Sequence, residues 1–240
     1  MIEKEIKDES LFKKAQAFSE FRDKCKQILK DAGLDFDKFT MVSHDSYIGY
    51  LSESFISSYL KEKMSGYPIQ VKGWGEVQNV KDIYHATKED RDVKAIYDAI
   101  KRGDTSMAEK IKEYFYDQYD ILVQTPKKAY RIDVKTALTE KEPKLNWDFL
   151  YPVVQAKKPG KDFTILAYCI HEHGDESKIT KVNIVGFLDN TRLDHLRVIK
   201  KGEETPFHTI SQIDNFETKL DRDYKSIDEL IKIFMADCDK

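Results

Sequence analysis

The sequence predicts an α/β fold in which a central mixed β-sheet carries a prominent β-hairpin and is flanked by helices. Three observations predict it. Apolar residues recur at helical spacing through the first half, the pattern turns at residue 119 to alternating β-branched and aromatic stretches, and a capped helical segment comes last. Helices, then strands, then a helix, with no internal repeat and no linker, read as one layered unit. A single domain over residues 1–240 is therefore expected.

The elements follow in order. After Ser10, the spacing of Leu11, Phe12, Ala15, Phe18, Phe21, Ile28 and Leu29 predicts a helix over 10–32, stopped by Gly33. Ser46 precedes Ile48, Leu51, Phe55, Tyr59 and Leu60, a stripe that predicts a second helix, ended by Gly66-Tyr67-Pro68. Glu53 projects from its middle, and the stripe itself is core. The stretch 66–84 is mixed, with Gly73-Trp74-Gly75 as a loop or bent strand. Such a tryptophan is better read as a turn packed over a core than as a base-stacking platform. Residues 90–102 and 105–116 return to helical spacing. From Tyr119 to Ala137 the sequence reads as a hairpin around Thr125-Pro126-Lys127-Lys128. Strands are expected at Phe163–His171 and Lys181–Leu188, joined by a loop over Glu172–Lys178. The last helix opens with the capping box Ser226-Ile227-Asp228-Glu229 and carries Leu230, Ile231 and Phe234.

Composition narrows the class. With 40% hydrophobic residues, 13 Tyr and 13 Phe, the chain has the apolar and aromatic content of a folded domain rather than a disordered segment. No apolar run approaches a membrane span and the N-terminus carries no apolar signal stretch. The three cysteines form no C-x-x-C pair, so neither a disulfide framework nor a thiolate zinc site is expected, and a cytoplasmic location fits. A net charge of −3 neither advertises nor excludes a polyanionic partner. P-loop, G-x-G-x-x-G, G-x-S-x-G and H-E-x-x-H signatures do not occur in the sequence, so no nucleotide cofactor, α/β-hydrolase or zincin chemistry is expected.

The hairpin carries the chemistry. An even number of residues separates Asp120 from Asp133, so a symmetric hairpin with a four-residue loop from Thr125 to Lys128 sets the two carboxylates opposite each other. Opposed residues share a face, Lys135 joins it, and Ile132 and Val134 point the other way. Opposed like charges are destabilising unless something positive lies between them, and removing either carboxylate is expected to relieve that repulsion. A hard divalent cation would serve, and Mg²⁺ favours one or two carboxylates beside a phosphate oxygen.

Tyr119-Asp120-Ile121-Leu122-Val123 followed by Ile132-Asp133-Val134-Lys135-Thr136 resembles the PD-(D/E)xK nuclease motif, as found in type II restriction endonucleases of the HincII kind. Tyr119 stands where the family name has Pro. The resemblance covers roughly residues 46–190 and implies a restriction-endonuclease-like fold with a catalytic hairpin. It also implies Asp120 and Asp133 as Mg²⁺ ligands, the Val134 carbonyl as a further ligand, Lys135 as the catalytic lysine and Glu53 as the auxiliary helix carboxylate. The implied activity is Mg²⁺-dependent hydrolysis of double-stranded DNA to 5′-phosphate ends, by a homodimer. Two alternatives stay open: a repair or recombination nuclease of the same superfamily, and a non-catalytic DNA-binding protein on the same fold.

Other acidic-x-Lys tripeptides, Asp92-Val-Lys94, Glu142-Pro-Lys144, Glu217-Thr-Lys219 and Asp223-Tyr-Lys225, lack an upstream aspartate across a hairpin. His171-Glu172-His173 has no third ligand of known position and reads as a loop pair. Basic clusters at Lys127-Lys128, Lys157-Lys158 with Lys161, and Arg197 with Lys200-Lys201 are candidate phosphate contacts.

Overall fold

The computed structural model of the chain describes residues 1–5, 9–34, 43–73, 76, 83, 89–115, 119–157 and 160–238. They cluster into two compact units, one of Met1–Ile6, Ser58–Val71 and Gln118–Lys240, the other of Lys7–Ser57 and Lys72–Asp117.

The second unit is helical. It holds α1 (Glu9–Asp31), the first part of α2 (Ser43–Lys63), α3 (Asp90–Lys101) and α4 (Ser106–Phe115). The expected apolar stripes build its core: Phe18, Phe21, Cys25, Ile28 and Leu29 from α1 meet Ile96 of α3 and Ala108 and Ile111 of α4. Gly33 ends α1 with φ 66°, a left-handed conformation that glycine adopts without a Cβ clash. Helix α2 begins three residues earlier than Ser46, which lies buried inside it. Trp74 and Gly75 lie outside the described residues.

The first unit is built on a mixed six-stranded sheet in the order β1-β7-β6-β4-β3-β2. Its strands are β1 (Ile2–Glu5), β2 (Gln70–Gly73), β3 (Ile121–Gln124), β4 (Ala129–Thr139), β6 (Phe163–Glu172) and β7 (Asp175–Asp189). Strand β6 runs parallel to β4 and antiparallel to β7. Parallel neighbours need a crossover. Here it contains β5 (Asp148–Pro152) and the single turn α5 (Val153–Ala156). Every residue of β6 from Phe163 to His171 is buried, as its nearly unbroken apolar run requires of a strand covered on both faces.

Helix α7 (Ile227–Ala236) covers one face. The Ser226 hydroxyl caps it by accepting from the Glu229 amide. Phe234 sets its ring 5.0 Å from Tyr130 and 6.1 Å from Phe163, and burying such a side chain contributes about 1.5–3 kcal/mol. The alternate face, bearing Leu166 and Tyr168, packs on Trp147 and on Leu220 of the short helix α6 (Leu220–Asp223). On that side lies a second, three-stranded sheet ordered β5-β9-β8, with β8 at Arg197–Ile199 and β9 at Asn215–Lys219. Tyr151 and Phe216 anchor its core.

One local difference from expectation has a clear cause. Strand β7 starts at Asp175, so the expected loop over Glu172–Lys178 shrinks to a turn at His173–Gly174, with Gly174 at φ 77°. The exposed polar run after Gly174 concealed a strand, and register shifts at His171 bend the ladder there. At Gly186 a Cβ would collide with the Lys225 carbonyl, because Phe187 and Lys225 exchange backbone hydrogen bonds of 2.9 Å in both directions.

Candidate active site

The site grows from the register of β3 and β4. Ile121 pairs with Ile132 and Gln124 with Ala129, leaving Thr125–Lys128 as a four-residue loop closed by Thr125 N–H donating to the Lys128 carbonyl at 2.8 Å. This is the register expected from the spacing of Asp120 and Asp133. The ladder slips by one residue at its end, where the Asp120 amide donates to the Ile132 carbonyl at 2.8 Å. The Asp120 carboxylate then accepts the Val134 amide at 2.7 Å. Ile132 and Val134 are buried on the opposite side of β4. Lys135 returns to the Asp133 side, its Nζ 2.9 Å from Asp133 Oδ2.

Asp133 has a second cation that sequence reasoning missed. Lys161 Nζ lies 2.7 Å from the same Oδ2 and donates to the Gln155 carbonyl at 3.2 Å. Behind them Tyr151 donates to Asp133 Oδ2 at 3.4 Å and lies 3.0 Å from Thr164 Oγ1, which donates to Asn190 at 2.9 Å. Strand pairing explains the convergence: β6 lies parallel to β4 with Thr164 beside Asp133, and Lys161 sits just before β6.

These groups titrate against one another. Burial pushes the Asp120 carboxyl up, and the charge of Asp133 adds to that, to about 6. Burial also works to raise Asp133, but the Lys135 and Lys161 ammoniums outweigh it and hold its carboxyl below the usual carboxylate range. Burial lowers the Lys161 ammonium against the pull of Asp133. The arrangement is two carboxylates, one set easier to protonate and one firmly ionised, sharing a pocket of two ammoniums.

The remaining candidates separate by their partners. Glu53 lies on α2 within the helical unit. Glu142 engages Lys181 at 2.9 Å and Asn183 at 2.7 Å, Glu217 engages Arg197 at 3.0 Å, and Asp223 engages Arg222 at 2.8 Å. His171 Nδ1 meets the Glu172 carbonyl, whereas His173 Nδ1 meets Glu140. Among the described residues no group of three or more His, Cys, Asp or Glu side chains could hold a metal ion. Several basic candidates are also engaged: Lys128 binds Asp162 at 2.7 Å, Lys200 binds Asp214 at 3.0 Å, and Lys161 points inward to Asp133 instead of outward to a phosphate.

The donor set of the hairpin suits a hard divalent cation: two carboxylates and the main-chain carbonyl between Asp133 and Lys135 are all oxygen ligands. The charge argument for such an ion weakens, because Lys135 and Lys161 already neutralise Asp133.

No family model, no curated protein and no solved structure matches the chain. No helix among the described residues is long and apolar enough to cross a membrane.

Proposed function

We propose that the protein is a Mg²⁺-dependent DNA endonuclease that leaves 5′-phosphate ends, most in keeping with a type II restriction enzyme working as a homodimer on double-stranded DNA. The observation that carries this reading is the convergence on one hairpin of Asp120, bonded to the Val134 amide, with Asp133 and Lys135 2.9 Å apart. That is the side-chain set of the PD-(D/E)xK motif in a shared, partly buried pocket.

Asp120, Asp133 and the Val134 carbonyl would hold the ion, which supplies positive charge to the phosphate and acidity to a bound water. Lys135 does the chain's own chemistry. Its ammonium hydrogen-bonds the attacking water and a phosphate oxygen, stabilising charge as the water oxygen bonds to phosphorus, giving up a proton to solvent, and the bond to the 3′ oxygen breaks, that oxygen taking a proton from solvent. The ionised Asp133 keeps Lys135 charged until substrate arrives. Glu53 is retained as the auxiliary carboxylate on the strength of the motif resemblance alone.

Digestion of supercoiled plasmid with Mg²⁺, followed by sequencing of the ends, tests the reading. Discrete fragments with 5′-phosphates support a site-specific enzyme, a smear supports a shape-reading nuclease of the same superfamily, and intact plasmid at stoichiometric protein overturns catalysis. One observation favours a second, non-catalytic reading: Asp133 is already satisfied by two lysines, as a structural ion-pair network would be.

A further inference from the structure

Two ammoniums on one carboxylate oxygen is an expensive arrangement. Lys135 and Lys161 both approach Asp133 Oδ2, at 2.9 and 2.7 Å, and each repels the other. Their settings differ. The Lys161 side chain is 2% exposed and bonds a second acceptor, the Gln155 carbonyl at 3.2 Å, whereas the Lys135 side chain is 23% exposed. Lys161 enters from the end of the crossover that precedes β6, and Lys135 from β4 itself.

From this asymmetry we infer that Lys161 is a positioning residue, the fixed counter-charge of Asp133, whose presence lets Lys135 leave Asp133 and turn to substrate. The inference rests on the nuclease reading for its purpose, but the division between a held and a releasable lysine is a property of the protein itself. If Lys135 were the sole partner of Asp133, withdrawing it would strand a buried carboxylate, a severe cost. With Lys161 bonded from behind, Asp133 Oδ2 keeps a 2.7 Å ion pair throughout. The Tyr151 hydroxyl donates to the same oxygen at 3.4 Å, so Asp133 keeps a second buried partner besides Lys161 when Lys135 departs.

The test reads the ammonium groups directly. In the ¹⁵N-labelled full-length protein, Lys161 ammonium protons should exchange with water more slowly than those of Lys135. In Lys161→Met, Lys135 becomes the only cation on Asp133 among the described residues, and its ammonium exchange should slow by roughly threefold or more, as expected of a tightened ion pair. In parallel, single-turnover cleavage by Lys161→Met should fall on the order of 10–100-fold with DNA affinity in Ca²⁺ kept within a few fold, the usual cost of losing a group that orients a metal ligand. A wild-type protein in which Lys161 exchanges as fast as Lys135 overturns the inference without need of any variant. So does a folded Lys161→Met with unchanged Lys135 exchange. Failure of the wild type to cut DNA would instead remove the nuclease reading and leave the exchange result to decide the role of Lys161.

Discussion

The hairpin cluster and the charged patch on the small sheet use the same residue types to opposite ends. On the small sheet, Asp148 stands directly opposite Lys219, and Arg197 directly opposite Glu217, so where two charges face each other across strands they are of opposite sign. The Arg197–Glu217 pair closes at 3.0 Å and Lys200 meets Asp214 at 3.0 Å nearby, with the cations largely solvated. Cross-strand pairs of that kind are ordinary sheet stabilisation worth a fraction of a kcal/mol each. On the hairpin, two carboxylates share a pocket and two ammoniums crowd one oxygen. The contrast teaches that charged residues on strands signal chemistry when like charges are gathered under cover, and signal solubility when opposite charges alternate in the open.

The largest expected effect separates the two regions outright. Asp120→Ala should abolish Mg²⁺-dependent cleavage, whereas Glu217→Ala should cut plasmid at the wild-type rate. Equal activity in both would erase the distinction. Next comes Lys135→Ala, expected to lose on the order of 10²–10⁴ in single-turnover cleavage while binding DNA in Ca²⁺ within a few fold. Lys94→Ala, from an acidic-x-Lys tripeptide on α3, should cut normally, and the reverse outcome would move the site out of the hairpin.

Stability sharpens the comparison further. Asp133→Ala takes the 2.7 Å ion-pair partner from the buried Lys161, so urea unfolding should report a loss of about 3–5 kcal/mol, against about 0–1 kcal/mol for Glu217→Ala. The sequence suggested the opposite sign for Asp133, relief of repulsion between like charges. The ion pair with Lys161 reverses it.

What was legible follows the range of the contacts. Even spacing, a proline-containing turn and the alternation of Ile132 and Val134 are local, and they sufficed for the Thr125–Lys128 loop and the β3–β4 register. The helical stripes were local too, and they became the core of Phe18, Ile28, Ile96 and Ile111. Lys161 was not legible, because only the parallel pairing of β4 with β6 across a long crossover brings it to Asp133. Read in sequence it is one lysine among several near Lys157. The second sheet was also invisible, since β8 and β9 are short and their polar residues, Arg197, Glu217 and Lys219, give no apolar alternation. A signal did exist in Tyr151 and Thr164, polar residues inside apolar runs that needed a buried partner.

A smaller effect is expected beside the small sheet. Burial alone would raise the Asp223 carboxyl, but hydrogen bonds from the Arg222 guanidinium and the Lys219 amide outweigh it and hold the carboxyl below its usual range. A carboxylate lowered on folding stabilises the protein above the pKa it has when unfolded, and that contribution is lost as pH falls through the folded value. Thermal unfolding of Asp223→Asn should therefore lie below wild type at neutral pH, with the gap closing in acid. A gap that widens in acid would contradict the assignment.

The most direct measurement of the central claim is calorimetric titration of Mg²⁺ into the wild type, Asp120→Asn and Glu217→Gln. The gathered like-charge pair, and not the alternating pairs of the small sheet, is held to be the ion site. Wild type and Glu217→Gln should therefore bind the ion alike and Asp120→Asn should lose binding. Binding by Asp120→Asn equal to wild type, or loss of binding in Glu217→Gln alone, would contradict it.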